Sequence, residues 1–133
     1  MASTLTRTLY VVAFVPIATG ALTAFLGADS VPSPGDPSPN LESELRFYSV
    51  WWIGAGLFLL WLAPRVAERT LEVRVFSALL FFAGVSRLLA ALDTDWPSTG
   101  QLILMGLELV LPVVFVTWQA VVARGLGTGT RKR

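Results

Sequence analysis

Two ionisable residues sit inside stretches of sequence that are otherwise apolar. Arg87 interrupts the run Val75–Leu92, and Glu108 interrupts Thr99–Ala123. Hydrocarbon cannot solvate a charge, so each of them needs a partner or water, and an ionisable residue so placed is a functional candidate by default. A third, Arg46, stands at the edge of the run Phe47–Ala63. Depth follows from the helical rise of 1.5 Å per residue. Glu108 lies roughly 14 Å into its run, near mid-membrane, and Arg87 roughly 7 Å below the end of its own. The difference is about the reach of an extended arginine side chain. The simplest expectation is that Arg87, Glu108 and Arg46 converge in the interior, in the outer half of the bilayer.

Pro112 adds to this. A helical proline lacks the N–H that would bond the carbonyl four residues back, and here that carbonyl belongs to Glu108. One turn is therefore expected to carry a carboxylate, an unbonded carbonyl and a kink, with Arg87 as the donor. Met105 and Gln101 lie one and two turns outward on the Glu108 side of the helix. Together with Trp52 and Pro112 they are the expected lining of a pocket. Pro16 frees the carbonyl of Val12 in the same way, with no role assigned.

These residues support more than one reading. Arg87 and Glu108 form either an ion pair that only locks two helices together, a ligand pocket, or a proton path. Arg46 is four residues after Glu42, the spacing of a surface salt bridge on one helix face, and its long stem lets the charge snorkel. Asp93 and Asp95 read as solvated loop or cap residues. The chain has no cysteine and no histidine. Disulfides, thiolate nucleophiles, zinc fingers and histidine bases are therefore excluded, and neither a cofactor nor a metal is expected.

The elements that must position these residues follow from composition. Of the 133 residues 54% are hydrophobic and 14% charged, whereas soluble domains run nearer a quarter charged. Four apolar runs stand out, Leu9–Leu26, Phe47–Ala63, Val75–Leu92 and Thr99–Ala123, each near the ~20 residues that cross a membrane as a helix. They lack the alternation of barrel strands. A soluble bundle would need a polar stripe on every helix, and Val11–Ala18 and Ile53–Leu62 have none. The fold class is read as all-α: one four-transmembrane-helix bundle over 1–124, with helices over about 6–26, 44–63, 72–92 and 98–124. The segment 27–43, with Pro32, Pro34, Pro37 and Pro39, reads as a proline-rich external loop, and 125–133 as a disordered basic tail.

Charge sets the expected orientation. Arg7, Arg65, Arg69, Arg74, Arg124, Arg131, Lys132 and Arg133 fall on one side of the four spans, which the positive-inside rule makes cytoplasmic. The N and C termini are then both cytoplasmic, in a bacterial plasma (inner) membrane. The nine arginines against one lysine hint at a GC-rich bacterial source. Phe47, Tyr48, Trp51, Trp52 and Trp96 fall at the outer ends, and Tyr10, Trp61 and Trp118 toward the inner ends, as interfacial aromatics do. Helix 1 has some features of a signal peptide. Its apolar stretch is long, however, contains Pro16, and no A-x-A site follows, so it is read as retained. Gly20, Ala24, Gly54 and Gly84 are candidates for close helix approach.

The run Leu45-Arg46-Phe47-Tyr48-Ser49-Val50-Trp51-Trp52-Ile53-Gly54-Ala55-Gly56-Leu57 resembles the second helix of an uncharacterised family of short bacterial membrane proteins, domain of unknown function 4345. Ala83-Gly84-Val85-Ser86-Arg87-Leu88 resembles its third helix, and Leu107-Glu108-Leu109 with Pro112 and Trp118-Gln119 its fourth. The likeness covers roughly Leu5 to Gln119. It implies a four-helix membrane fold and carries no activity with it.

The function expected from these residues is that of a non-enzymatic binding module with an outward-facing polar pocket for a lipid or small amphiphile. Two arginines against one carboxylate would favour an anionic one. Two other readings are kept: an accessory subunit of a larger membrane complex, and a proton-coupled carrier in which burial and Arg87 pull the proton affinity of Glu108 in opposite directions. An enzyme with Glu108 as general acid or base ranks last, because no second catalytic group accompanies it. Expected partners are the bilayer, an anionic lipid or amphiphile and other membrane subunits, with no nucleic acid.

Overall fold

A computed structural model of the chain describes residues 2–32 and 36–129. Four long helices account for nearly all of them: α1 (Ala2–Leu26), α2 (Pro39–Leu62), α3 (Thr70–Asp93) and α4 (Thr99–Gly129). Short 3₁₀ turns, Gly27–Ser30 and Ala63–Arg65, follow α1 and α2, and no strand occurs among the described residues. The expected all-α fold is the observed one. All four helices are long and apolar enough to cross a membrane. The shortest have 24 residues, or about 36 Å of rise against a hydrocarbon core of about 30 Å. Their surfaces agree, since large side chains such as Phe25 and Val11 are 82% and 72% exposed. Water-soluble monomers rarely present continuous apolar surface of that kind.

The boundaries differ from expectation at several points, the first being α1, which starts at Ala2 rather than near residue 6. The second helix begins at Pro39 rather than near residue 44. Ser38 is its N-cap, the hydroxyl accepting from the Leu41 N–H at 3.3 Å, and Pro39 takes the first turn. A proline is tolerated there because its missing N–H would be unpaired anyway. The expected loop 27–43 is thereby shortened at both ends, and Pro34 lies outside the described residues. The last helix continues to Gly129 instead of stopping near 124. Glycines weaken a helix by about 1 kcal/mol each without breaking it, and no proline intervenes. The basic residues Arg131, Lys132 and Arg133 lie outside the described residues. Both α1 and α4 continue as helix through their internal prolines, Pro16 and Pro112.

The chain divides into two compact units, one spanning Ser3–Pro64 and the other built on the segment from Arg65. In the first, α1 and α2 approach closely through glycine. A Cβ on Gly20 would stand 2.9 Å from the Ser49 carbonyl oxygen, and one on Gly56 would stand 2.8 Å from the Ala13 carbonyl oxygen. Gly54, expected to do this, faces nothing within 4 Å, and Gly56 takes its place. Polar links tie the same two helices. The Thr6 hydroxyl donates to the Ala63 carbonyl at 3.1 Å, and the Trp52 indole N–H donates to the Thr19 hydroxyl at 2.8 Å.

In the second unit, the buried positions of α4 are Met105, Glu108, Pro112, Phe115, Gln119 and Val122. Their alternating spacing of three and four residues makes a narrow stripe along one face, the pattern of a packed helix pair. Gly84 of α3 meets this stripe, for a Cβ there would lie 3.0 Å from Leu109 and 3.1 Å from Glu108. Gln119, 1% exposed, donates from Nε2 to the Thr70 hydroxyl at 2.8 Å.

Candidate functional site

Glu108 faces inward because it shares the stripe of Met105 and Pro112, which flank it about one turn away on either side. Arg87 lies one turn from Gly84, on the side of α3 that packs against α4. The two helices therefore bring the charges together. Arg87 Nε donates to Glu108 Oε2 at 2.8 Å, and the carboxylate side chain is 5% exposed against 41% for the arginine. Arg87 Nη1 donates to Gln101 Oε1 at 2.7 Å. The guanidinium is thus held between two levels of α4, and Arg87, Glu108 and Gln101 form one network.

Close approach of the backbones makes this possible. Gly84 and Glu108 are near enough that a Cβ on Gly84 would touch the Glu108 Cβ. A larger residue at 84 would push α4 away and lengthen the ion pair three residues later. Met105 and Pro112 are buried beside the carboxylate, where they exclude water and strengthen its bond to Arg87. No buried side-chain nitrogen or oxygen among the described residues lacks a partner.

Arg46 belongs to a different network. Its Nε donates to Glu42 Oε1 at 2.7 Å, and its Nη2 stands 2.6 Å from the same oxygen. Its Nη1 donates to the Ala24 carbonyl at 2.9 Å and the Phe25 carbonyl at 3.3 Å. Those are the last carbonyls of α1, which have no partner inside their helix, and a terminal arginine satisfies them well. Glu42 completes the clamp by accepting from the Ala28 N–H at 2.8 Å. Gly27 permits it: its φ is +59°, and a Cβ there would fall on the Glu42 carboxylate. Arg46 therefore brings its own carboxylate and fastens the α1–α2 turn. Each of the two arginines thus has a carboxylate of its own.

Trp52, expected as pocket lining, donates its indole N–H to Thr19 of α1. Gln101, Met105 and Pro112 all lie in the α4 segment that carries Glu108. Sequence reasoning did not single out the second polar contact of the hairpin, Gln119 with Thr70. The signal was present, since Gln119 continues the three-and-four spacing that runs through Glu108.

The family model described as a domain of unknown function, DUF4345, matches residues 5–119. Neither the curated proteins nor the solved structures contain a match. The matched stretch holds all four helices over most of their length, together with Arg46, Arg87, Gln101 and Glu108, and with most of its residues inside that match the chain belongs to the DUF4345 family.

Proposed function

We propose that this multi-pass membrane protein is a non-enzymatic binding module, holding a lipid or small amphiphile at Arg87 of the α3–α4 unit. The observation that carries the reading is the state of the guanidinium. Arg87 lies about 9 Å from the end of α3, within a span, and its side chain is 41% exposed. Nε and Nη1 are tied to Glu108 and Gln101, so the head cannot extend freely to the interface as an unpaired arginine would. Nη2 takes no hydrogen bond among the described residues. A cation exposed at membrane depth with a donor to spare is completed by an amphiphile whose headgroup reaches it. Glu108 is covered and engaged by Arg87, which supports a holding role over proton carriage.

The test is whether an amphiphile stays with the protein. Native mass spectrometry of wild type in mild detergent should find one bound. The double variant Arg87→Gln/Glu108→Gln, which keeps hydrogen-bonding groups but no charge, should lose it while retaining its helical circular dichroism. A folded wild type that emerges bare, or a double variant that keeps its passenger, would overturn the reading.

We further propose that both chain ends face the cytoplasm and that the membrane is the plasma membrane of a bacterium. Arg65 and Arg69 between α2 and α3 and Arg74 near the start of α3, with Arg7 and Arg124, support that orientation through the positive-inside rule. A fluorescent protein that folds only in the cytoplasm should glow when fused after residue 133. Alkaline phosphatase inserted between Gly27 and Ser38 should be active. The opposite pattern would reverse the topology.

A further inference from the structure

We infer that the headgroup meeting Arg87 and Gln101 presents singly charged anionic oxygen, a phosphodiester or a carboxylate carried on an acyl chain. This rests on the binding reading above and adds the chemical class of the ligand. A guanidinium has five donors and no acceptor, so the Gln101 atom facing Arg87 Nη1 is its oxygen. The amide nitrogen, with two donors, then points away, and it has no partner among the described residues. The Nη2 of Arg87 is likewise unused. Among the side chains of this network one acceptor is left over, the second oxygen of Glu108, and its side chain is only 5% exposed. What the side chains of the site offer to the outside is therefore mainly donors, and the complementary group is an acceptor.

Two further features limit its charge. Arg87 and Glu108 cancel, while Asp93 and Asp95 stand exposed at the turn between α3 and α4. The energy of an anion in their negative field scales with its charge, so a dianion would be penalised twice as much as a single charge. Gln101 also lies in the first turn of α4, whose free N–H groups make that end partly positive, and Gly100 beside it faces open space.

The experiment titrates the full chain in maltoside micelles with phosphatidylglycerol, oleate, inorganic phosphate, diacylglycerol and a long-chain trimethylammonium amphiphile, and reads occupancy by native mass spectrometry. Phosphatidylglycerol or oleate should bind at least tenfold more tightly than diacylglycerol or the cation, and inorganic phosphate should not bind detectably. Gln101→Glu is the decisive variant: it keeps the oxygen that Arg87 needs and replaces the outward donor with an acceptor. It should weaken the anionic amphiphiles at least tenfold and strengthen the cation. Gln101→Met should weaken the anions without strengthening the cation.

A wild type that prefers diacylglycerol or the cation, or a Gln101→Glu variant that binds the anions unchanged, sinks the headgroup assignment alone. Inorganic phosphate binding as well as the lipids would overturn the amphiphile. A wild type that binds none of the five would remove the binding reading as well.

Discussion

Arg87→Ala should destabilise the protein by about 3 kcal/mol and Glu108→Ala by only about 1, although the two remove partners of one bond. The asymmetry follows from where each residue is left. Without Arg87, the Glu108 carboxylate is 5% exposed and has neither a counter-charge nor water. It must stay ionised in an apolar setting or take up a proton. Without Glu108, Arg87 retains Gln101 as an acceptor, and a side chain already 41% exposed can extend toward the headgroup layer. Magnitudes separate this from the plainer view that the contact is one more interhelical hydrogen bond. Such bonds average about 0.6 kcal/mol in membrane proteins, so that view has both alanine variants below about 1 and nearly equal. The double variant Arg87→Gln/Glu108→Gln should lie within about 1 kcal/mol of wild type, because a neutral pair relieves the desolvation that the charges suffer. Unfolding free energies in mixed micelles, read from helical circular dichroism, check all three. Equal losses for the two alanine variants would mean that Glu108 is not the confined partner.

The parts of this protein that were legible in its sequence are those that the solvent dictates. Hydrocarbon requires spans of a certain length with every backbone group paired, and four apolar runs satisfy that requirement wherever they pack. The pairing of Arg87 with Glu108 was legible for the same reason, since either charge alone in a span is costly and each had one suitable partner. Arg46 shows the limit. Its spacing from Glu42 is visible in the sequence. That the guanidinium also reaches the terminal carbonyls of α1 depends on Gly27 at φ +59° folding the chain back on itself, and no spacing rule encodes a contact 22 residues away. The start of α2 was hidden by four prolines that read as loop. Ser38-Pro39 was the signal, a cap followed by the one helical position that favours proline. Gln119 was passed over because one amide near the end of an apolar helix is unremarkable until the buried stripe that contains it is drawn.

The glycines give the second large effect. Gly56→Ala should cost about 2–3 kcal/mol, whereas Gly54→Ala should be neutral or slightly stabilising. Alanine is the better helix former by about 1 kcal/mol, so propensity favours both substitutions and any loss must come from packing. At Gly56 the added methyl would meet the Ala13 carbonyl oxygen at 2.8 Å, and Ile17 as well. The first is backbone and cannot turn aside, so α1 and α2 must separate. Separation would also stretch the Trp52–Thr19 bond and the Arg46 clamp, which join the same helices. At Gly54 nothing lies within 4 Å. The two glycines are only two residues apart, yet two residues turn a helix by about 200° and so place them on opposite faces. In a soluble helix the polar side would have revealed which glycine faces the partner. Here both faces are apolar, and the sequence carries no phase with which to choose. Thermal melts of the two variants in one detergent, followed by helical circular dichroism, decide the matter: a Gly54→Ala loss as large as that of Gly56→Ala would mean that α2 presents a different face to α1.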